Sequence, residues 1–137
     1  AQQTVSVLDD IPLSMPALSR ALKIQQRAAN VGFDWSSLAP VLDKVDEELQ
    51  EVRVAIASGD AAAISDELGD LLFATVNVAR HLKLNPETAL RAANIKFSQR
   101  FQLVEQQAQA QGMAIADCSE AQLDALWNLA KQRLSTQ

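Results

Sequence analysis

Ser58-Gly59-Asp60 is the feature that most restricts the fold of this 137-residue chain. It interrupts two long runs in which apolar residues recur every three or four positions, the spacing of a helix stripe packed on a core. Before the break the stripe is Leu38, Val41, Leu42, Val45, Leu49, Val52 and Ile56; after it, Ile64, Leu68, Leu71, Leu72, Thr75, Val78 and Leu82. Read as a tight turn, the break makes two helices, about 38–57 and 60–82, run antiparallel, with Asp60 capping the second. Each helix then brings an acidic cluster to the hairpin: Glu47, Glu48 and Glu51 from the first, Glu67 and Asp70 from the second.

Five carboxylates in one place repel one another unless cations neutralise them. Oxygen-only ligands favour Mg or Mn. Glu48 and Glu51 are three apart on a helix and can meet one ion, and Glu47 and Glu51, four apart, are also neighbours. Taken alone, this first cluster also fits a solvated acidic face. Glu67 and Asp70 fit that description less well, because they lie in the most apolar part of their helix, where acids are rarely buried unless paired or metal-bound. Lys44 shares a face with Glu48 and Glu51 and is a candidate substrate contact. Asn77, seven residues beyond Asp70, falls on nearly the same face, either to orient a ligand or to hydrogen-bond within the core. Gly69 sits in mid-helix at a cost of up to about 1 kcal/mol relative to Ala; close approach of another helix or access for a ligand would each explain it.

The remaining segments predict an all-α domain, a four- to five-helix bundle. Glycine and proline are scarce, four each, and no run alternates with period two. A first helix is expected from about 16 to 30, with Ser14 as a candidate cap. Asn85-Pro86-Glu87 is the clearest helix start, opening a segment to about 111. Ser119 and Gln122 form a possible capping box for a last helix to about 134. Residues 1–15 read as a linker or arm, 16–134 as one helical domain and 135–137 as a tail; the chain starts at Ala1 and reads as a processed product or a piece of something longer. Phe33 and Trp35 occupy a loop, either to plug the bundle end or to form a flat wall for a planar ligand. Lys96 and Arg100, four apart, either solubilise the fourth helix or hold phosphate oxygens; Asn94 lies beside them. His81, the single histidine, sits in a last turn that favours positive charge.

The formal net charge of -5 disfavours a general nucleic-acid binder. One cysteine, Cys118, excludes an intrachain disulfide and suits a reducing compartment. No apolar run approaches the length of a membrane span, and there is no glycine-rich phosphate loop. A cytoplasmic location is expected.

Glu47-Glu48-Leu49-Gln50-Glu51 followed by Glu67-Leu68-Gly69-Asp70 resembles the signature of the MazG nucleotide pyrophosphohydrolases. Lys23-Ile24-Gln25-Gln26-Arg27, Val31-Gly32-Phe33-Asp34-Trp35 and Asn94-Ile95-Lys96-Phe97 are also similar to that family. The similarity extends over about residues 8–133 and is nearest to the C-terminal half of the two-domain bacterial proteins. The resemblance implies an all-α, Mg-dependent homodimer that hydrolyses nucleoside triphosphates to monophosphates and pyrophosphate in nucleotide-pool house-cleaning. It implies Glu48, Glu51, Glu67 and Asp70 as metal ligands, Glu47 as a further ligand or water-orienting group, Lys96 and Arg100 as phosphate contacts, and Phe33 or Trp35 near the base. Glu47 and Glu51 are the candidates to take the water proton. A catalytically degenerate dimerisation or regulatory domain with a vestigial metal pocket is the competing expectation.

Overall fold

The computed structural model describes residues 5–135, and every regular element in that range is helical. Helices α1 (Ala17–Asn30), α2 (Leu38–Ser58), α3 (Ala61–His81), α4 (Pro86–Ala110) and α5 (Glu120–Ser135) follow in order, with one 3-10 turn at Ile115–Asp117 before α5. The first four residues of the expected arm and the last two of the expected tail lie outside the described residues. Two compact units divide the chain, the first ending at Ala89 and the second beginning at Leu90 within α4.

In the first unit α3 packs against both α2 and α1. The α2–α3 turn works as the three-residue break predicts. Ser58 Oγ donates to the Ala55 carbonyl. Gly59 adopts the left-handed conformation (φ 73°) and donates to the Ile56 carbonyl. Asp60 Oδ1 then accepts from the amides of Ala62 and Ala63, satisfying donors that the first turn of α3 leaves free. Ser14, by contrast, does not cap α1. Pro16 occupies the cap position without a side-chain bond, because its restricted φ already suits a helix start.

The buried residues of this unit are few and small. Ile11, Val41, Ala55, Ala74 and Val76 are joined by three polar side chains, Gln25, Glu48 and Asn77. Much of the predicted apolar stripe is not covered: Leu42, Leu49, Ile56, Leu68 and Leu72 are all 40–59% exposed. The stripes of α2 and α3 are wider than the faces these two helices and α1 turn to one another. Before α1, residues 6–11 form turns, Ile11 is buried, and Arg27 pairs with Asp10 and donates to the Val7 carbonyl.

The second unit has its own core of Val104, Ala108, Leu126 and Ala130, with Leu103, Met113, Ile115 and Trp127 packed around it. The capping box is formed as its sequence indicates: Ser119 N–H donates to Gln122 Oε1 at 2.8 Å, and Gln122 N–H donates to Ser119 Oγ at 3.1 Å. Phe97 stacks on Phe101 and tilts against Trp127, the latter ring centroids 5.5 Å apart.

Candidate functional site

The hairpin brings three of the five predicted acids together. Glu48 on α2 and Glu67 and Asp70 on α3 each offer one carboxylate oxygen, and these oxygens lie within 4.8 Å of one another. Glu48 is 8% exposed, Glu67 half-buried and Asp70 exposed. The cost of this arrangement appears on Glu67. Its carboxyl is held above the ordinary value by desolvation first, and then by the charges of Asp70, Glu51 and Glu48. Glu51 is exposed and contributes to that field without joining the converging oxygens. Glu47 is exposed and turns toward Lys44 at 3.5 Å.

Lys44 is the local counter-charge. Its Nζ lies 3.1 Å from Glu48 Oε1, an i,i+4 pair on α2, and the bond to Glu48 is the main reason its ammonium is held above its usual value. One ammonium facing a buried carboxylate and two further acids leaves negative charge in excess. The donor set is hard oxygen, converging from two helices. This acidic cluster is capable of coordinating a metal ion. Gly69, between Glu67 and Asp70, is not explained by close approach of another helix among the described residues, since none of their atoms outside its own stretch of helix lies within 4 Å of where its Cβ would stand.

A cavity of about 590 Å³ opens beside these acids, a size that suits a small organic ligand. On α3 it is lined by Asp70, Phe73, Ala74, Asn77 and Arg80, successive positions of one helix face. Val41, Lys44 and Glu48 line it from α2, and Ile24, Gln25 and Ala28 from α1. Leu8, Phe33 and Trp35 complete the wall. Phe33 is 78% exposed and Trp35 44%, so Phe33 is not a plug within this chain; both rings stand at the cavity.

The aromatic loop is tied to α3 by Asp34, which the sequence reading did not single out. Its carboxylate takes both Arg80 Nη groups, at 3.0 and 2.6 Å, and contacts His81 Nε2 at 2.9 Å. The Arg80 guanidinium, aided by His81 and the Trp35 amide, holds the Asp34 carboxyl far below the ordinary carboxylate range. Arg80 Nε in turn donates to Asn77 Oδ1 at 2.9 Å. Asn77 is thus buried, bonded within its own helix, and part of the cavity wall. Gln25, also buried, donates through Nε2 to the Phe73 carbonyl at 2.9 Å. A signal for Gln25 exists in the sequence: it follows Leu18 and Leu22 at stripe spacing, a polar residue where the α1 pattern calls for an apolar one.

Asn94, Lys96 and Arg100 belong to the second unit. Asn94 and Lys96 are exposed. The Arg100 guanidinium lies 5.6 Å from the centroid of the Trp127 ring, a cation–π contact, and its Nε is buried with no hydrogen-bond partner among the described residues.

Residues 37–104 match the model of the MazG nucleotide pyrophosphohydrolase domain, a stretch that spans both acidic clusters. A nucleoside triphosphate pyrophosphohydrolase of Escherichia coli strain K12 is 50% identical over 132 residues, covering 93% of this chain and 49% of that protein. The chain belongs to the MazG family. A second relative, the nucleoside triphosphate pyrophosphohydrolase/pyrophosphatase MazG of Thermotoga maritima, is 40% identical over 126 residues, 92% of this chain and 48% of its own length. The uncharacterized protein YabN of Bacillus subtilis is 44% identical over 128 residues, which are 93% of this chain and 26% of YabN. The chain therefore spans about half the length of these E. coli and Thermotoga proteins. No helix among the described residues is long and apolar enough to cross a membrane.

Proposed function

We propose that this chain is a MazG-type catalytic domain that hydrolyses nucleoside triphosphates to monophosphates and pyrophosphate with the help of Mg, or Mn in its place. The observation that carries the reading is the convergence of Glu48, Glu67 and Asp70 at the edge of a cavity walled by two aromatic rings. Acids alone would repel a triphosphate; acids that hold a cation beside a flat-walled cavity suit one. Glu48, Glu51, Glu67 and Asp70 would hold the ion, which supplies charge neutralisation and lowers the pKa of a bound water.

The protein's own groups do the rest. Glu47 or Glu51 accepts the proton of the water that attacks the α phosphorus. The bond from that phosphorus to the bridging oxygen breaks, and pyrophosphate leaves with the bond electrons. Lys44 takes up charge on the phosphates, while Asn77 positions the substrate. Phe33 and Trp35 pack the base. Exposed Leu42, Leu49, Leu68 and Leu72 on α2 and α3 favour a second copy of the chain as partner, since so much apolar surface on two adjacent helices suits burial. In the cell the activity would clear surplus or damaged nucleotides from the cytoplasm.

The test is pyrophosphate release from a panel of nucleoside triphosphates, with Mg and with EDTA. Metal-dependent release for at least one nucleotide is expected. Silence across the panel overturns the reading in favour of a degenerate regulatory or dimerisation domain.

A further inference from the structure

Two buried amides line the cavity, and a partner of fixed polarity orients each of them. Gln25 is 7% exposed and bonds the Phe73 carbonyl through Nε2. A carbonyl only accepts, so the flipped amide would set two acceptors face to face. The atom left over is Oε1, which is buried and has no hydrogen-bond partner among the described residues. Asn77 is 8% exposed, and its Oδ1 accepts from Arg80 Nε, which only donates. The atom left over there is Nδ2, a donor.

A buried acceptor without a partner is destabilising, and such groups are rare enough to need a reason. A phosphate cannot supply one here, because ionised phosphate oxygens accept and do not donate. Gln25 Oε1 asks for a donor, and the N–H groups along the edge of a base supply one. Asp70 and Asn77 are seven residues apart on one face of α3, about 10 Å along the helix axis, and the Phe73 carbonyl that holds Gln25 lies between them in sequence. The acids and the amides thus occupy different stations along one wall, a separation that a nucleoside can bridge with its phosphate end at the acids.

We propose that Gln25 is a base-reading residue: its Oε1 accepts an N–H from the edge of the nucleobase, while Asn77 Nδ2 donates to the adjacent ring nitrogen or carbonyl. The inference rests on the nucleotide reading above and adds the residue that discriminates at the base. Water does not reach Oε1 with the side chains as they stand, so the base enters by displacing part of the wall; among the lining aromatic rings, Phe33 is the most exposed.

The test is equilibrium binding, with Mg, of non-cleavable α,β-methylene triphosphates in matched pairs. Adenosine is paired with purine riboside, and cytidine with pyrimidinone riboside, each partner lacking the amino group. Uridine and guanosine are paired with their ring-N-methylated counterparts. For the base bound best, the parent protein is expected to favour the natural nucleotide by about 10- to 100-fold. Gln25→Met, with the shape kept and the acceptor lost, should bring the ratio to within about threefold while helicity by circular dichroism is unchanged. Equal binding of both members by the parent overturns the proposal, and is the result if a trapped water alone satisfies Oε1. A ratio retained in Gln25→Met also overturns it. The pyrophosphate assay on the same bases separates the two readings. Binding with discrimination but no turnover sinks the hydrolase and keeps the base reader; turnover without discrimination does the reverse. No binding of any analogue overturns both.

Discussion

Replacing Asp70 by Asn should reverse the order of stability of variant and parent when metal is added. The Asp70 and Glu48 oxygens approach within 4.8 Å, where two unit charges repel by about 1 kcal/mol in a water-like dielectric. Asp70 is exposed, so the water-like value is the appropriate one. Unfolding entropy of about 2.1 cal/mol/K per residue gives about 0.3 kcal/mol/K for a chain of this length. Asp70→Asn is therefore expected to raise Tm by about 3 °C in EDTA. In the parent, Mg at ten times its dissociation constant adds about 1.4 kcal/mol, or about 5 °C. The variant should lose most of that increment, so that parent and variant exchange order between EDTA and Mg. Thermal melts followed by circular dichroism across a Mg titration measure both numbers. A variant that melts below the parent in EDTA, or gains the same increment from Mg, refutes the assignment of Asp70 to a cation-dependent acidic cluster.

Glu51→Ala should lower metal-dependent pyrophosphate release by about a hundredfold or more with helicity retained, as expected for a group acting on the reacting water; near-parent turnover would exclude it. Asp34→Asn should cost about 0.5–1 kcal/mol near neutral pH by weakening the Arg80 clamp. Because Asp34 sits lower in the folded chain than its ordinary 3.8, its stabilisation is complete above that value and is lost as pH falls through the folded value. Parent and Asp34→Asn melts should therefore differ at neutral pH and converge in strong acid; a gap independent of pH would disprove the clamp. Lys83 holds a left-handed backbone, φ 60°, just past α3, so Lys83→Gly should gain about 1 kcal/mol by chemical denaturation, and a loss of stability would contradict the strain.

The helices were legible because their signals are local. Apolar spacing, Asn85-Pro86, the Ser119–Gln122 box and the Ser58-Gly59-Asp60 turn each act within a few residues and are seen in the structure. That acids from the two helices can converge follows from the turn and the helix period; which of the three α2 acids meets Glu67 and Asp70 does not, and only Glu48 does so. Burial was less legible. The stripe predicts which side of α2 faces its neighbours, but not how much of that side they cover, and Leu49 and Leu72 remain exposed. Two polar groups, one lining the cavity and one beside it, were missed for a different reason. Gln25 acquires its meaning from the Phe73 carbonyl, 48 residues away, and Asp34 from Arg80, 46 residues away. Such pairings carry no periodic signature.

The short bridge between Lys44 and Glu48 has a consequence for the order of events in a loaded pocket. At rest, the lysine works as a placeholder, offsetting part of the negative charge of the buried Glu48 carboxylate. Were Glu48 to hold a cation, that service would become redundant and a four-carbon arm would be left unemployed at the cavity. Lys44 would then be at liberty to swing toward incoming anionic oxygens, so that arrival of a metal would recruit the hand that greets the substrate.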